Sequence, residues 1–144
     1  MKKYRIGYTT GVYDMFHVGH LNLLKSAKAY CDFLIVGVST DELTAAYKHE
    51  FPVIPFRERI EIVAAIKYVD QVVPQTSMNK LEAWEKLHFD AVFHGDDWEG
   101  TALYDSIEKS LRAVGCDLIF LPHTENTSST LLKQKLKRIG ESHL

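Results

Sequence analysis

Phe33-Leu34-Ile35-Val36-Gly37-Val38 is a continuous apolar run of strand length, and its reading decides the fold. A strand that alternates apolar with polar residues keeps one face in water. A strand without alternation needs both faces covered, as in a parallel sheet sandwiched by helices. The flanking sequence agrees. Upstream, residues 4–10 (YRIGYTT) form a candidate strand turning at Gly11, and residues 18–30 carry Val18, Leu21, Leu24 and Ala27 at helical spacing. Downstream, residues 57–67 are helical through Ile60, Val63 and Ile66, and 70–74 are a short strand ended by Pro74. The rhythm then repeats. Residues 79–88 are a helix (Leu81, Trp84, Leu87), 90–94 a strand breaking at Gly95, and 103–114 a helix (Leu103, Ile107, Leu111, Val114) capped by Gly115. Residues 117–121 are a strand stopped by Pro122, and 129–139 a helix expected to turn Leu132, Leu136 and Ile139 inward. About five strands alternate with helices. The expected fold is therefore Rossmann-like α/β, an open parallel sheet with right-handed crossovers and helices on both faces.

The chain has 144 residues, enough for one domain spanning 1–144, and no repeat or linker interrupts it. Hydrophobic residues make up 46% and charged residues 25%, which excludes a disordered tail, a collagen or a coiled coil. Lys plus Arg is 17 against 19 Asp plus Glu, a net charge of −2. No basic excess is available to neutralise a nucleic-acid backbone, whereas a small phosphorylated ligand needs only a few local cations. No run suits a membrane span or a signal peptide. Cys31 and Cys116 both sit in apolar stretches and read as reduced core thiols, so a cytoplasmic location is expected.

In open parallel sheets, ligands bind at the carboxyl ends of the strands, near the point where strand order reverses. The strand exits at 9–20, 39–50, 75–80, 94–100 and 122–130 are therefore where chemistry is sought. The first contains GVYDMFHVGH, residues 11–20. Gly11 permits a tight turn, and Gly19 lets a ligand approach the backbone. His17 and His20 fall at the start of the next helix, whose free N–H groups and dipole favour phosphate. Two imidazoles there can donate to a phosphate whose charge grows in a transition state. No other His/Cys pair has zinc-ligand spacing, and no residue set is expected to hold a metal of its own. The dinucleotide fingerprint GxGxxG and the P-loop are both absent.

His17-Val18-Gly19-His20 resembles the HxGH signature of the nucleotidyltransferase superfamily, and GVYDMFHVGH resembles its cytidylyltransferase branch. Residues 95–100, GDDWEG, resemble a segment of the glycerol-3-phosphate cytidylyltransferases, and Tyr68-Val69-Asp70 resembles the family's YVD run. Residues 122–130, PHTENTSST, are similar to a second signature, RTxGISTT, with His123, Asn126 and Thr127 in place of its Arg, Gly and Ile.

The resemblance implies transfer of a cytidylyl group from CTP to a phosphorylated alcohol, sn-glycerol 3-phosphate first among them. It implies His17, His20 and Lys48 as catalytic residues. The nucleotide would contact Gly11, Val12, Tyr13, Asp14, His17, Gly19, His20, Asp97, Trp98, His123, Thr124, Ser128, Ser129 and Thr130. Lys48, Lys80 and Arg59 would hold the substrates, and Asp70 would support the site or a dimer interface. His94, ending its strand beside Gly95, could reach the pocket. Mg²⁺ should accompany CTP, since it bridges phosphate oxygens. The resemblance further implies a homodimer feeding teichoic-acid or capsule synthesis. Other phospho-alcohols (ribitol, erythritol, choline, ethanolamine), an ATP-dependent adenylyltransferase and a non-catalytic nucleotide-binding module are the alternatives.

Overall fold

The computed structural model describes residues 3–124 and 129–142. Five strands form one sheet: β1 (Tyr4–Gly11), β2 (Cys31–Ser39), β3 (Gln71–Gln75), β4 (Ala91–Gly95) and β5 (Asp117–Leu121). The spatial order is β3-β2-β1-β4-β5 and every pairing is parallel. The expected Rossmann-like α/β sheet is therefore present. Strand order reverses at β1, so the carboxyl ends of β1, β2 and β4 meet where such sheets bind ligands.

Helices α1 (Val18–Ala29), α2 (Asp41–Lys48), α3 (Phe56–Ala64), α4 (Lys80–Leu87), α5 (Ala102–Arg112) and α6 (Ser129–Ser142) complete the chain. The sheet separates two cores. One joins Leu24 and Ala27 of α1 and Val63 of α3 to Leu34, Val36, Val38 and Phe93. The other joins Tyr104 and Leu111 of α5, with Trp84 and Leu87 of α4, to Tyr8, Ile35 and Val92. Leu34, Val36 and Val38 thus face one core and Ile35 the other, which is why this strand shows no alternation. Among the described residues no helix is long and apolar enough to cross a membrane. Both cysteines are buried and free, and burial pushes the Cys116 thiol up to about 12.

Three expectations need correction. First, the strand exit at 39–50 is given no helix by the sequence reading, yet Asp41–Lys48 is one. Thr44 is its one buried residue, so the apolar stripe that periodicity detects is missing. The helix is set instead by its ends. Thr40 Oγ1 accepts from Leu43 N–H at 3.2 Å, Asp41 and Glu42 occupy the first turn, and His49 takes a left-handed φ of 63° at the C-cap. Second, Leu103 and Val114 of the α5 pattern are exposed, while Tyr104 and Leu111 are the buried pair. Third, Leu136 and Ile139 of α6 are exposed, and Leu132 is half-buried. Gly115 does follow α5 in the left-handed region, at φ 81°.

Candidate functional site

The turn after β1 is tightly built. Tyr13 and Met15 hold φ of 56° and 48°, and the Tyr13 ring lies against Gly11 so closely that a Cβ there would be 2.9 Å from Tyr13 Cζ. Tyr13 also meets His20 edge-on, with ring centroids 5.4 Å apart. Gly11 is thus required for the close approach of an aromatic ring, and the sharp backbone conformations fall on Tyr13 and Met15.

His17 is the N-cap of α1. Its Nδ1 accepts from Gly19 N–H at 3.0 Å, while His20 Nδ1 accepts from His17 N–H at 3.3 Å. A ring nitrogen that accepts an amide proton carries none itself. In the neutral rings the proton therefore sits on Nε2, and both imidazoles are held as Nε2–H donors. The rings stack at 3.9 Å. Burial lowers the proton affinity of both. For His20, burial and the neighbouring His17 and Lys48 outweigh Asp14 and bring it to about 4. Two neutral donors at a helix N-terminus suit an incoming anion.

Asp14 is buried, and its carboxylate accepts from the amides of Val53 and Ile54 at 2.8 and 2.9 Å. Burial raises its pKa, but those two amides and Lys133 outweigh burial and hold the group below its usual value. Arg59 is fully enclosed. It donates to the carbonyls of Ile54 (2.8 Å), Val12 (2.6 Å) and Ser39 (2.8 Å) and to Asp41 Oδ1 (2.7 Å). One guanidinium therefore ties the exits of β1 and β2 to the loop before α3. Its side-chain exposure is 0%, so it is a structural clasp and presents no face to a substrate.

Three lysines surround this mouth. Lys48 ends α2, and its charge bears on His20; burial, followed by Lys133, lowers its own pKa. Lys133 of α6 lies 3.3 Å from both Asp14 and Glu50. Lys80 opens α4, is 6% exposed, and donates to Thr10 Oγ1 at 2.8 Å; burial lowers it to about 8. Among the described residues no carboxylate pairs with Lys80. His94 sits nearby with its Nε2 2.9 Å from the Tyr104 hydroxyl and Nδ1 3.1 Å from Gly95 O. Burial, with Lys80, lowers the pKa of His94.

Asp96 and Asp97 follow β4 in a short 3₁₀ turn. His123 Nδ1 donates to Asp96 Oδ1 at 2.7 Å and lies 3.5 Å from Asp97 Oδ1. The His123 hydrogen bond is the main cause of a lowered Asp96 pKa. Ligand atoms of these three residues lie within 4.8 Å of one another, a donor set able to hold a divalent cation. Thr124 Oγ1 accepts from Asn22 Nδ2 at 2.9 Å, tying the exit of β5 to α1.

Residues 8–135 match the Cytidylyltransferase-like family. The chain belongs to it. The chain is 36% identical to the glycerol-3-phosphate cytidylyltransferase of Staphylococcus aureus, over 89% of this chain and 92% of that protein. It is 37% identical to the ethanolamine-phosphate cytidylyltransferase of Mus musculus, over 92% of this chain and 33% of that one. Among solved structures it superposes on the lipopolysaccharide core biosynthesis protein of Thermoplasma volcanium with a TM-score of 0.71, at 20% identity, covering 86% of this chain and 99% of that one. A member of this family is a nucleotidyltransferase, and this chain is one.

In this cytidylyltransferase-like chain, His17, Gly19, His20, Lys80, Asp97, His123 and Thr124 lie at carboxyl ends of strands or in the turns and helix starts that follow, and Lys48 lies at the far end of α2. Tyr13 and Asp14 are buried and shape the turn from within. Ser128, Asn126 and Thr127 lie outside the described residues, as do the side chains of Trp98, Ser129 and Thr130. Asp70 is not at the mouth. It accepts from Leu34 N–H at 2.8 Å and pairs with Lys28, fastening the entrance of β3 at the far end of the sheet. The mouth also contains groups the sequence did not single out. They are Thr10, Asp41, Lys133 and the buried pair in which Ser39 Oγ donates to Gln75 Oε1 at 2.6 Å. Lys133 is one of four cations on α6, with Lys135, Lys137 and Arg138, and spacing alone cannot choose among them.

Proposed function

We propose that the chain transfers the cytidylyl group of CTP to a phosphorylated alcohol, sn-glycerol 3-phosphate being the favoured acceptor, to give a CDP-alcohol and pyrophosphate. The observation that carries this reading is the pair of stacked imidazoles, each held by a backbone amide as an Nε2–H donor, at the start of α1. An acceptor phosphate oxygen forms a bond to the α-phosphorus while the bond to the bridging oxygen breaks, and that electron pair leaves on pyrophosphate. No side-chain nucleophile takes part. His17 and His20 donate to oxygens that gain charge at the crowded phosphorus. Lys48 and Lys80 neutralise and orient the phosphates, which is the positional part of the catalysis. Lys80 suits that role because it is a buried ammonium bonded to a hydroxyl, so an anion relieves an existing cost. Mg²⁺, when bound with CTP, supplies counter-charge to the triphosphate. Asp96 and Asp97 would hold it, since a hard cation takes carboxylate and phosphate oxygens. Asp97, Trp98, His123, Thr124 and the hydroxyls at 128–130 are assigned to the nucleotide. A homodimer acting in the cytoplasm, with a product consumed in teichoic-acid or capsule-type synthesis, completes the proposal.

Phosphoethanolamine is the second acceptor, favoured by the mouse relative. Released pyrophosphate is the test. CTP and ATP are each combined with glycerol, ribitol, erythritol, choline and ethanolamine phosphates, and with no acceptor. CTP with glycerol phosphate is expected to be fastest. Faster turnover with ATP, or none with any acceptor, overturns the reading.

A further inference from the structure

The exits of β4 and β5 lie side by side, because these strands pair in parallel with Gly95 opposite Leu121. Asp97 stands two residues beyond Gly95, His123 two residues beyond Leu121, and Asp96 precedes Asp97 in the 3₁₀ turn. His123 and Asp96 are 27 residues apart in the chain, yet the strand register brings their side chains together. The His123 Nδ1 is 2.7 Å from Asp96 Oδ1 and 3.5 Å from Asp97 Oδ1. Among the described residues this is the one place where three metal-ligating side chains meet, and His123 is the one basic partner of either carboxylate.

The spacing suits a shared ion. Ligand atoms each about 2.1 Å from a metal lie about 3.0 Å apart at a right angle and about 3.4 Å apart at the tetrahedral angle. The two separations in the structure bracket those values. The ligands are also held in advance. Asp96 O accepts from Glu99 N–H at 3.1 Å, and Thr124, next to His123, is tied to Asn22 of α1. Ligands already in place lose less freedom when they bind. Donor chemistry then selects the ion. Mg²⁺ takes oxygen ligands and gives up water reluctantly, so an imidazole nitrogen adds little to its binding. First-row transition dications accept imidazole together with carboxylate, and their affinity for such a site rises from Mn²⁺ to Co²⁺ and beyond.

We propose that Asp96, Asp97 and His123 form a resident site for a first-row transition-metal dication, filled without the nucleotide and in preference to Mg²⁺. Three protein ligands leave positions on the ion for phosphate oxygens of CTP. That contact with CTP rests on the transferase reading given above, whereas the binding of the ion does not.

The test is binding of Mn²⁺, Co²⁺ and Mg²⁺ to the nucleotide-free protein by titration calorimetry, with pulsed electron paramagnetic resonance of bound Mn²⁺. Mn²⁺ should bind at least about tenfold more tightly than Mg²⁺, and Co²⁺ more tightly than Mn²⁺. The Mn²⁺ signal should carry a coupling to an imidazole nitrogen. His123→Gln should abolish that coupling and weaken Mn²⁺ and Co²⁺ by about tenfold or more, with a smaller effect on Mg²⁺. Asp97→Asn should weaken all three ions. Glu85→Gln, which alters an exposed carboxylate of α4 outside the cluster, should bind as the wild type does. A His123 that merely steadies Asp96 by a hydrogen bond predicts a Mn²⁺ signal without nitrogen coupling, and that result overturns the inference. So do equal affinities for Mn²⁺ and Mg²⁺, no binding tighter than about 1 mM, or equal loss in Glu85→Gln. Should His123→Gln fail to fold, the nitrogen coupling in the wild type still decides. A metal-loaded protein that releases no pyrophosphate from CTP with any acceptor would instead refute the transferase reading and leave the metal site standing.

Discussion

Replacing Lys80 by Met should make the protein more stable and less active. Lys80 is 6% exposed, and burial lowers its pKa from 10.5 to about 8. At about 1.4 kcal/mol per pH unit, that displacement corresponds to roughly 3 kcal/mol against the charged form in the folded state. The sign follows from linkage. Above 10.5 the amine is neutral in both folded and unfolded chains and the cost vanishes. Below about 8 it is charged in both, and the folded state bears the full cost. Met has similar length and no charge, so it removes this cost and the Thr10 hydroxyl contact, worth about 1 kcal/mol. The expected net gain is about 2 kcal/mol at pH 7, or roughly 4–8 °C in Tm for a chain of this size. Urea unfolding of wild type and Lys80→Met at pH 7 and pH 9.5 checks it. The gap should narrow at the higher pH, since tyrosines and other groups titrate alike in both proteins and cancel. Turnover should fall by an order of magnitude or more if Lys80 holds a phosphate as proposed. A wild type as stable as the variant at pH 7, or a gap that does not change with pH, would refute the argument that an uncompensated buried charge waits there for an anion.

Other perturbations separate chemistry from architecture. His17→Ala should lower kcat by about 100-fold or more and cost about 1 kcal/mol of stability through the lost N-cap, read by steady-state kinetics and urea unfolding. A near-normal rate removes His17 from the mechanism. Because His20 is lowered from 6.5 to about 4, its contribution to stability is present above pH 6.5 and is lost as pH falls toward 4. His20→Asn should therefore lose less stability than the wild type between pH 7 and pH 4.5, and equal losses would contradict the assignment. Arg59→Met leaves three carbonyls and Asp41 without their shared donor. It should cost about 3–5 kcal/mol, and a normal melting temperature with only a raised KM would show that Arg59 binds substrate after all.

The candidate site was legible to an unequal degree. His17 and His20 were legible because their roles are local: a cap and its third residue lie on one turn, and the helix start brings its own dipole. Lys80 could be placed at a strand exit, but not its burial or its bond to Thr10, which is 70 residues away. Arg59 illustrates the limit. An arginine early in a helix reads as an anion ligand, and only the packed chain shows three carbonyls from three different segments converging on it. Asp70 lies away from the mouth, and that much was legible. It precedes a strand of a parallel sheet, so its place at the amino end, opposite the strand exits, follows from chain order, and only its bonds to Leu34 and Lys28 needed the packed chain.

Periodicity and punctuation determined the parallel sheet, because an apolar strand between helices has few ways to hide both faces. Motif spacing determined the imidazole pair at the first exit. Tertiary structure alone decided which cations turn inward, which carboxylates restrain them, and that β1 lies at the centre of the sheet. Such facts depend on residues far apart in the chain sharing one small volume, where desolvation and charge act on distance in space and not on separation in sequence.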